Sequence, residues 1–155
     1  MRRIIYSAFC LAFLVSCGED TFDLSDVEAS IRVHGLLKDE VYSVAVFVYG
    51  PWRSDNKMVT CPNLVQKALP PDDARLERLA YNKVSMESLE LRSQVSLPRI
   101  PAGEGKVVYV EAYGSSTEDV RGGEVIGNGC RAFVKVAEGG TTSVDIAVYR
   151  YPPTL

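Results

Sequence analysis

Apolar and polar residues alternate along several stretches of the chain with the period of two that is typical of half-buried β-strands. In residues 88–97 every second position is apolar except Ser93, and the positions between are polar. Turn-forming Gly and Pro residues separate the stretches, and Gly139-Gly140 has the form of a hairpin turn. About six or seven such strands predict an all-β fold, a single antiparallel β-sandwich. The clearest strands are 28–37, 41–49, 88–97, 106–113, 124–136 and 141–150.

Two of these strands also predict where the core lies. Strand 41–49 is apolar on both faces, which predicts a central strand covered on both sides. In strand 124–136, Cys130 shares one phase with the apolar residues Ile126, Ala132, Val134 and Val136, so we expect its side chain to point into the core.

The segment 50–85 has no sustained period. Gly50-Pro51 ends the preceding strand, and residues 52–57 have the composition of a polar loop. Prolines and acids at 70–73, followed by a narrow apolar stripe, predict a short helix over 74–80 within this long loop.

Long loops with little periodicity are often functional, so the segment is a candidate recognition surface. Its possible stacking groups for a ligand or partner are Tyr49, Trp52, which is the only tryptophan, and Tyr81. The alternative is that the loop simply packs onto the sandwich.

The N-terminus has the pattern of an export signal. Arg2 and Arg3 precede an apolar run from Ile4 to Val15, which is too short for the roughly 20 residues of a membrane-spanning helix. The run ends in Leu14-Val15-Ser16-Cys17, which resembles the lipobox of bacterial lipoproteins. The resemblance implies a lipid on the Cys17 thiol and cleavage between Ser16 and Cys17. The alternatives are an ordinary signal peptide with a chance cysteine near its end and an unprocessed core strand.

On this interpretation the chain has three parts: a signal peptide over 1–16, a lipid-anchored tether over 17–27 and a sandwich domain over 28–151. The tether is acidic and lacks a strand period, as is typical of a solvated linker. Gly18, rather than Asp, follows the cysteine, which in the lipoprotein family favours the outer membrane, on its periplasmic or surface-facing leaflet. Glu19 and Asp20 resemble a surface-export motif, although a solvated linker explains them better.

Removal of residues 1–16 changes both the charge and the cysteine count. The formal charge of −3 becomes −5 because Arg2 and Arg3 are lost, and an acidic domain without a basic run is not expected to bind nucleic acid or anionic lipid. Cys10 leaves with the signal peptide and Cys17 carries lipid, so Cys61 and Cys130 remain in an oxidising compartment. We predict that these two form a disulfide; free thiols and a redox centre are the alternatives.

Several segments together resemble the small transthyretin-like or carboxypeptidase-regulatory-like sandwiches, which are immunoglobulin-like in pattern and occur in short myxobacterial lipoproteins. The segments are Leu97-Pro98-x-Ile100-Pro101-Ala102-Gly103, Val107–Ala112, Gly129-Cys130, Val134-x-Val136 and Thr141–Val148. The resemblance covers roughly residues 28–150 and implies a noncatalytic module.

The sequence offers little catalytic chemistry. Its only histidine, His34, falls with Arg32 on the polar face of a strand, and there is no Gly-x-Ser-x-Gly motif, so a nucleophilic triad lacks its base. The glycines match no nucleotide-binding spacing, and the adjacent carboxylates Asp72-Asp73 and Glu118-Asp119 are not a glycosidase pair. No zinc or EF-hand spacing occurs, so we expect no metal, no cofactor and no catalytic residue.

These patterns predict an anchored envelope protein that binds or scaffolds a protein partner, as an accessory subunit of an envelope complex. Edge strands are the natural docking site for a partner strand. The main alternative is binding of a carbohydrate or cell-wall ligand through the aromatic loop. A hydrolase using the loop carboxylates is the least supported interpretation.

Overall fold

The structure, a computed structural model, describes residues 28–35, 40–92, 94–114 and 124–151. Within these ranges the helices are α1 (Cys61–Val65) and α2 (Met86–Arg92). The strands are β1 (Ala29–His34), β2 (Ser43–Arg53), β3 (Leu76–Ser85), β4 (Val95–Leu97), β5 (Gly103–Tyr113), β6 (Val125–Val136), β7 (Thr142–Ala147) and β8 (Tyr149–Arg150).

The predicted signal peptide and tether, with Ser16 and Cys17, lie outside the described residues. Neither α1 nor α2 has the length and apolar character needed to span a bilayer, and the described ranges hold no other helix.

The strands form two packed sheets, and the predicted all-β sandwich is confirmed. One sheet has the order β4-β1-β7 and the other has the order β3-β2-β5-β6-β8. All strand pairs are antiparallel except β1 with β7, which run parallel from Ala29 opposite Thr142 to His34 opposite Ala147. This pair arises because the chain turns after β6 and crosses to the smaller sheet, where it adds β7 beside the first strand.

The inner core lies between the two sheets. One face of β2, with Val44, Val46 and Val48, points into it, and the alternating apolar residues of both sheets surround these three. The main inner-core partners are Ala29, Ile31, Val95, Leu97, Val108, Val110, Ala112, Val144 and Ile146.

A second, outer core covers the opposite face of the larger sheet. Phe47, Tyr49 and Tyr109 are fully buried there, beneath the segment 58–76 that contains α1. Burial of side chains of this size contributes about 1.5–3 kcal/mol each. The prediction that strand 41–49 is covered on both sides is therefore correct, and much of the long loop serves as the cover.

The structure contains the predicted disulfide between Cys61 and Cys130. The two Cα atoms are 5.5 Å apart and the residues are separated by 69 positions in sequence. Cys61 begins α1 and Cys130 lies in β6, so the bond fastens the outer cover to the sheet.

The helix predicted over 74–80 is wrong, because these residues enter strand β3. Asp73 accepts hydrogen bonds from the backbone and guanidinium of Arg75, at 2.9 and 2.8 Å, which closes a turn instead of starting a helix. Leu76 then pairs with β2, and the ladder continues to Ser85 opposite Ser43. Pairing along a long central strand outweighs the weak local helix signal.

The strand predicted over 88–97 is only partly correct. Its first half belongs to α2, and β4 covers only Val95–Leu97. Ser85 caps the helix, since its Oγ accepts a hydrogen bond from the backbone N–H of Ser88 at 3.2 Å. Leu89 is buried although it lies in a helix, as it would be in a strand. The alternation of apolar and polar residues therefore does not distinguish a helix from a strand here.

Replacing both Cys61 and Cys130 with Ala is expected to lower the free energy of unfolding by about 4 kcal/mol, because the bond closes a long loop in the unfolded chain. Urea unfolding followed by circular dichroism measures the change, and reduction of the unaltered protein should reproduce it. Equal urea midpoints for the oxidised protein and the double variant would contradict the role given to the bond.

Candidate functional site

The structure does not bring the three predicted stacking groups to one surface. Tyr49 is fully buried, and its Oη donates a hydrogen bond to the carbonyl of Pro71 at 2.9 Å. Tyr81 is half-buried, with its ring centroid 5.0 Å from that of Phe47. Trp52 alone is well exposed, at 55%.

Trp52 lies at the rim of an open groove of about 540 Å³. Val59 and Val107, which belong to the outer core, contribute to its lining, and Met58 and Phe133 join Trp52 as exposed apolar side chains. These are three of the five large apolar side chains that the described residues leave exposed, the other two being Tyr42 and Tyr149. We call this feature the aromatic groove.

A tight hairpin holds Trp52 in place. The backbone of Trp52 bridges to Met58, the N–H of Arg53 donates to the carbonyl of Lys57 at 2.8 Å, and Asn56 adopts a positive φ of 60° in the turn. Arg53 also donates to Asp55 at 2.5 Å. The polar residues that follow Trp52 therefore form a short ordered turn.

Gly105 lets strand β5 approach this hairpin closely. Its φ is +75°, and a Cβ at this position would lie 3.3 Å from the Cβ of Pro51. Both the backbone conformation and the space favour glycine at this point in the groove wall.

A β-bulge directs Phe133 into solvent. Lys106 and Val108 of β5 pair with Val134 and Arg131 of β6, so β6 has one extra residue between the two pairs. Phe133 has a φ of +58° and is 75% exposed. An aromatic residue in the left-handed region is uncommon, and such backbone strain is concentrated at functional sites.

The prediction that the apolar residues of strand 124–136 all lie on one face is wrong, because the register of β6 shifts along the strand. Val134 and Val136 pack in the inner core, whereas Cys130 and Ala132 pack in the outer core. The sequence carries a signal for Phe133 itself, because a large apolar residue stands there at a position that the alternation assigns to solvent.

An ion pair flanks the groove. Lys135 Nζ donates to Glu104 Oε1 at 2.8 Å, and this hydrogen bond lowers the pKa of the Glu104 carboxyl. The groove thus combines aromatic and thioether surface with a charged border, an arrangement suited to non-covalent binding of a partly apolar surface.

A buried polar cluster under α1 is the other unusual feature. Glu111, on the outer face of β5, is only 2% exposed and accepts a hydrogen bond from Tyr109 Oη at 3.0 Å. It also accepts from Tyr113 Oη and from Lys67 Nζ. Sequence reasoning missed this carboxylate, because Glu111 looked like an ordinary polar position in strand 106–113.

The chemistry of the cluster indicates that it stabilises the fold. Burial lowers the pKa of Lys67 to about 8, and burial also raises the pKa of Tyr109 and of Tyr113 well above the usual value. Near neutral pH the lysine is therefore still mostly charged and the tyrosines are neutral donors. Since Lys67 follows α1, its pairing with Glu111 holds the cover against the sheet.

The remaining candidates lie apart from the groove. His34 is exposed, as its phase predicted, and its Nε2 is 3.3 Å from Asp145 Oδ1 on the outside of the smaller sheet. Among the residues that the structure describes, no three His, Cys, Asp or Glu side chains converge to hold a metal ion.

We expect the Lys67→Met variant to lose about 3–5 kcal/mol of stability, because it leaves the buried Glu111 carboxylate without its partner. The Glu111→Gln variant should lose less, because the Lys67 side chain that it leaves unpaired is partly exposed. The double variant should lose about 1–3 kcal/mol less than the sum of the single losses. Urea unfolding of the four proteins gives the coupling energy.

The exposed pair Lys135 and Glu104 provides a matched control for this cycle. Lys135→Met and Glu104→Gln should show far weaker coupling, since both side chains are well solvated. Equal coupling energies in the two cycles would mean that burial does not strengthen the interaction between Lys67 and Glu111.

Comparison with known proteins finds no matching family model and no similar curated protein.

Proposed function

We propose that this protein is an envelope lipoprotein whose sandwich acts without catalysis, as a module that binds or scaffolds a protein partner. Cleavage after Ser16 and acylation of Cys17 would anchor it, and Leu14-Val15-Ser16-Cys17 supports this step. Two or three acyl chains hold a protein on a bilayer almost permanently, whereas one chain binds only marginally. Gly18 after the cysteine favours the outer membrane.

The observation that carries the binding role is the long edge strand β3. Eight of its ten residues pair with β2 on one side, and within the described ranges no strand pairs with the other side. Alternate backbone N–H and C=O groups of an antiparallel edge point away from the sheet. The other outermost strands are shorter: β4 has three residues, β7 has six and β8 has two.

Long edges are normally covered, because they template pairing with another chain. On β3 the visible protection is modest: Asn82 Nδ2 donates to the carbonyl of Ser96 at 2.8 Å, and the strand carries the charged residues Glu77, Arg78 and Lys83. A partner strand added to β3 would extend the larger sheet, with main-chain hydrogen bonds supplying affinity. This is the docking mode we propose for an envelope partner.

Purification of the tagged protein from detergent-solubilised membranes tests the proposal. We expect an intact mass with acyl groups at Cys17 and a stoichiometric protein partner. Hydrogen exchange of the complex should show new protection at alternate amides of β3, because those N–H groups would bond to the partner.

The Cys17→Ser variant is the control, and it should lack lipid and leave the membrane fraction. An unacylated mass for the unaltered protein would refute the anchor. A complex in which β3 amides exchange as fast as in the free protein would refute the docking edge.

The aromatic groove favours a second candidate function, binding of a carbohydrate or cell-wall ligand. Trp52 and Phe133 present exposed rings on which a sugar could stack. Cell-wall fragments should then shift the fluorescence of Trp52, and the shift should disappear in Phe133→Asn but persist in Tyr149→Asn. No shift in the unaltered protein would exclude this alternative.

A further inference from the structure

The described chain enters the sandwich at the same end as the aromatic groove. The carbonyl of Glu28 accepts from the N–H of Thr142 at 3.0 Å, and Thr142 Oγ1 accepts from the N–H of Ala137 at 3.2 Å. Ala137 follows directly on β6, whose last residue, Val136, pairs with Gly103. Glu104 and Lys135, the neighbours of that last pair, line the groove.

The distance along the chain from Cys17 to this end is short. Cys17 stands eleven residues before Glu28, and a chain of that length reaches about 40 Å when fully extended. A lipid on Cys17 would therefore keep the groove end of the domain close to the bilayer surface. This step rests on the proposed function, since it requires the anchor.

The groove side chains have the chemistry of a membrane interface. Tryptophan is enriched where headgroups meet acyl chains, because its ring is apolar and its N–H is polar. Trp52, Met58 and Phe133 are all exposed at this end, and the strained bulge specifically turns Phe133 outward. Their apolar surface would gain from burial in a lipid interface.

The charge distribution also differs from that of the whole chain, which is net acidic. In the turns at this end, 53–58, 98–106 and 131–141, together with Glu28, the exposed charges balance, because Arg53 and Lys106 are buried. This end therefore carries no net charge that would repel a bilayer surface. The exposed basic residues are Lys57, Arg99, Arg131 and Lys135; the exposed acidic residues are Glu28, Asp55, Glu104 and Glu138.

We propose that the aromatic groove docks on the bilayer surface, as a second membrane contact beside the lipid on Cys17. Trp52, Met58 and Phe133 enter the interface, and the exposed charged side chains around them lie among the headgroups. Two attachment points fix the orientation of the domain, so that Tyr42 and Tyr149 point away from the membrane.

Trp52 is the only tryptophan in the chain and so reports directly on the groove. The experiment uses the full protein purified from membranes and reconstituted into vesicles of phosphatidylethanolamine and phosphatidylglycerol. Half of the samples contain lipids that carry bromine on the acyl chains, which quench a tryptophan that lies in the interface. We expect a blue shift of Trp52 emission relative to detergent-free protein without vesicles, and loss of most of its fluorescence in the brominated samples.

A relocated tryptophan is the matched control. The double variant Trp52→Phe with Tyr149→Trp carries its single indole at the opposite end and should keep its fluorescence in brominated vesicles. Phe133→Asn should weaken the quenching of Trp52, whereas Tyr149→Asn should leave it unchanged. Both substituted side chains are highly exposed, so neither change should prevent folding.

The outcomes separate this inference from the proposed function. An acylated protein whose Trp52 is not quenched would overturn the inference and leave the anchor intact. A blue shift without quenching would mean that protein or glycan fills the groove, which also overturns it. If the intact mass shows no acyl groups, the anchor is wrong, and quenching of Trp52 on the same vesicles still decides whether the groove docks on lipid.

Discussion

The structure depends on the burial of both faces of its larger sheet. Strand β2 is apolar on both sides, with Val44, Val46 and Val48 on the inner face and Phe47 and Tyr49 on the outer face. The smaller sheet covers only the inner face, so another part of the chain must cover the outer one. Segment 58–76 does so, and two devices hold it there: the Cys61–Cys130 disulfide and the Lys67–Glu111 pair.

The aromatic groove lies where this outer cover ends. Val59 and Val107 are outer-core residues that also line the groove, and Trp52, Met58 and Phe133 surround them as exposed side chains. The same architecture therefore explains a well-packed sheet and an apolar opening at one end. Glu28, where the described chain begins, lies at the same end. The two ends of the sandwich therefore differ, and this difference is the basis of the proposed orientation on the membrane.

Much of the fold could be predicted from the sequence, because period-two alternation directly reflects a buried face. The doubly covered strand 41–49 and the disulfide follow from local pattern and from cysteine count. The helix expected over 74–80 and the strand expected over 88–92 failed for one reason. Short segments fit both the helical and the strand period. The structure is decided by pairing of Leu76–Ser85 with β2 and by capping of α2 by Ser85, and periodicity does not record either contact.

The site could be predicted only in part. Trp52 was identified as a candidate from its uniqueness in a polar loop, whereas Tyr49 and Tyr81 were assigned from proximity in sequence, and the structure buries Tyr49. The alternation places Phe133 in solvent, but a single exposed apolar residue is common, and only the register of β6 with β5 brings it to the groove. Net charge was equally uninformative about the groove end, since a sum over the chain does not show which loops the fold brings together.

The central claim is that the outer cover is a distinct layer held on the larger sheet by its disulfide. Hydrogen exchange of the oxidised and the reduced protein under native conditions tests it most directly. The account predicts that reduction accelerates exchange of the bonded amides in 58–76, such as those of Gln66 and Leu69, by a larger factor than exchange in β1 and β7, where only the global loss of stability is felt. Equal exchange in both forms, or acceleration spread evenly over both sheets, would contradict it.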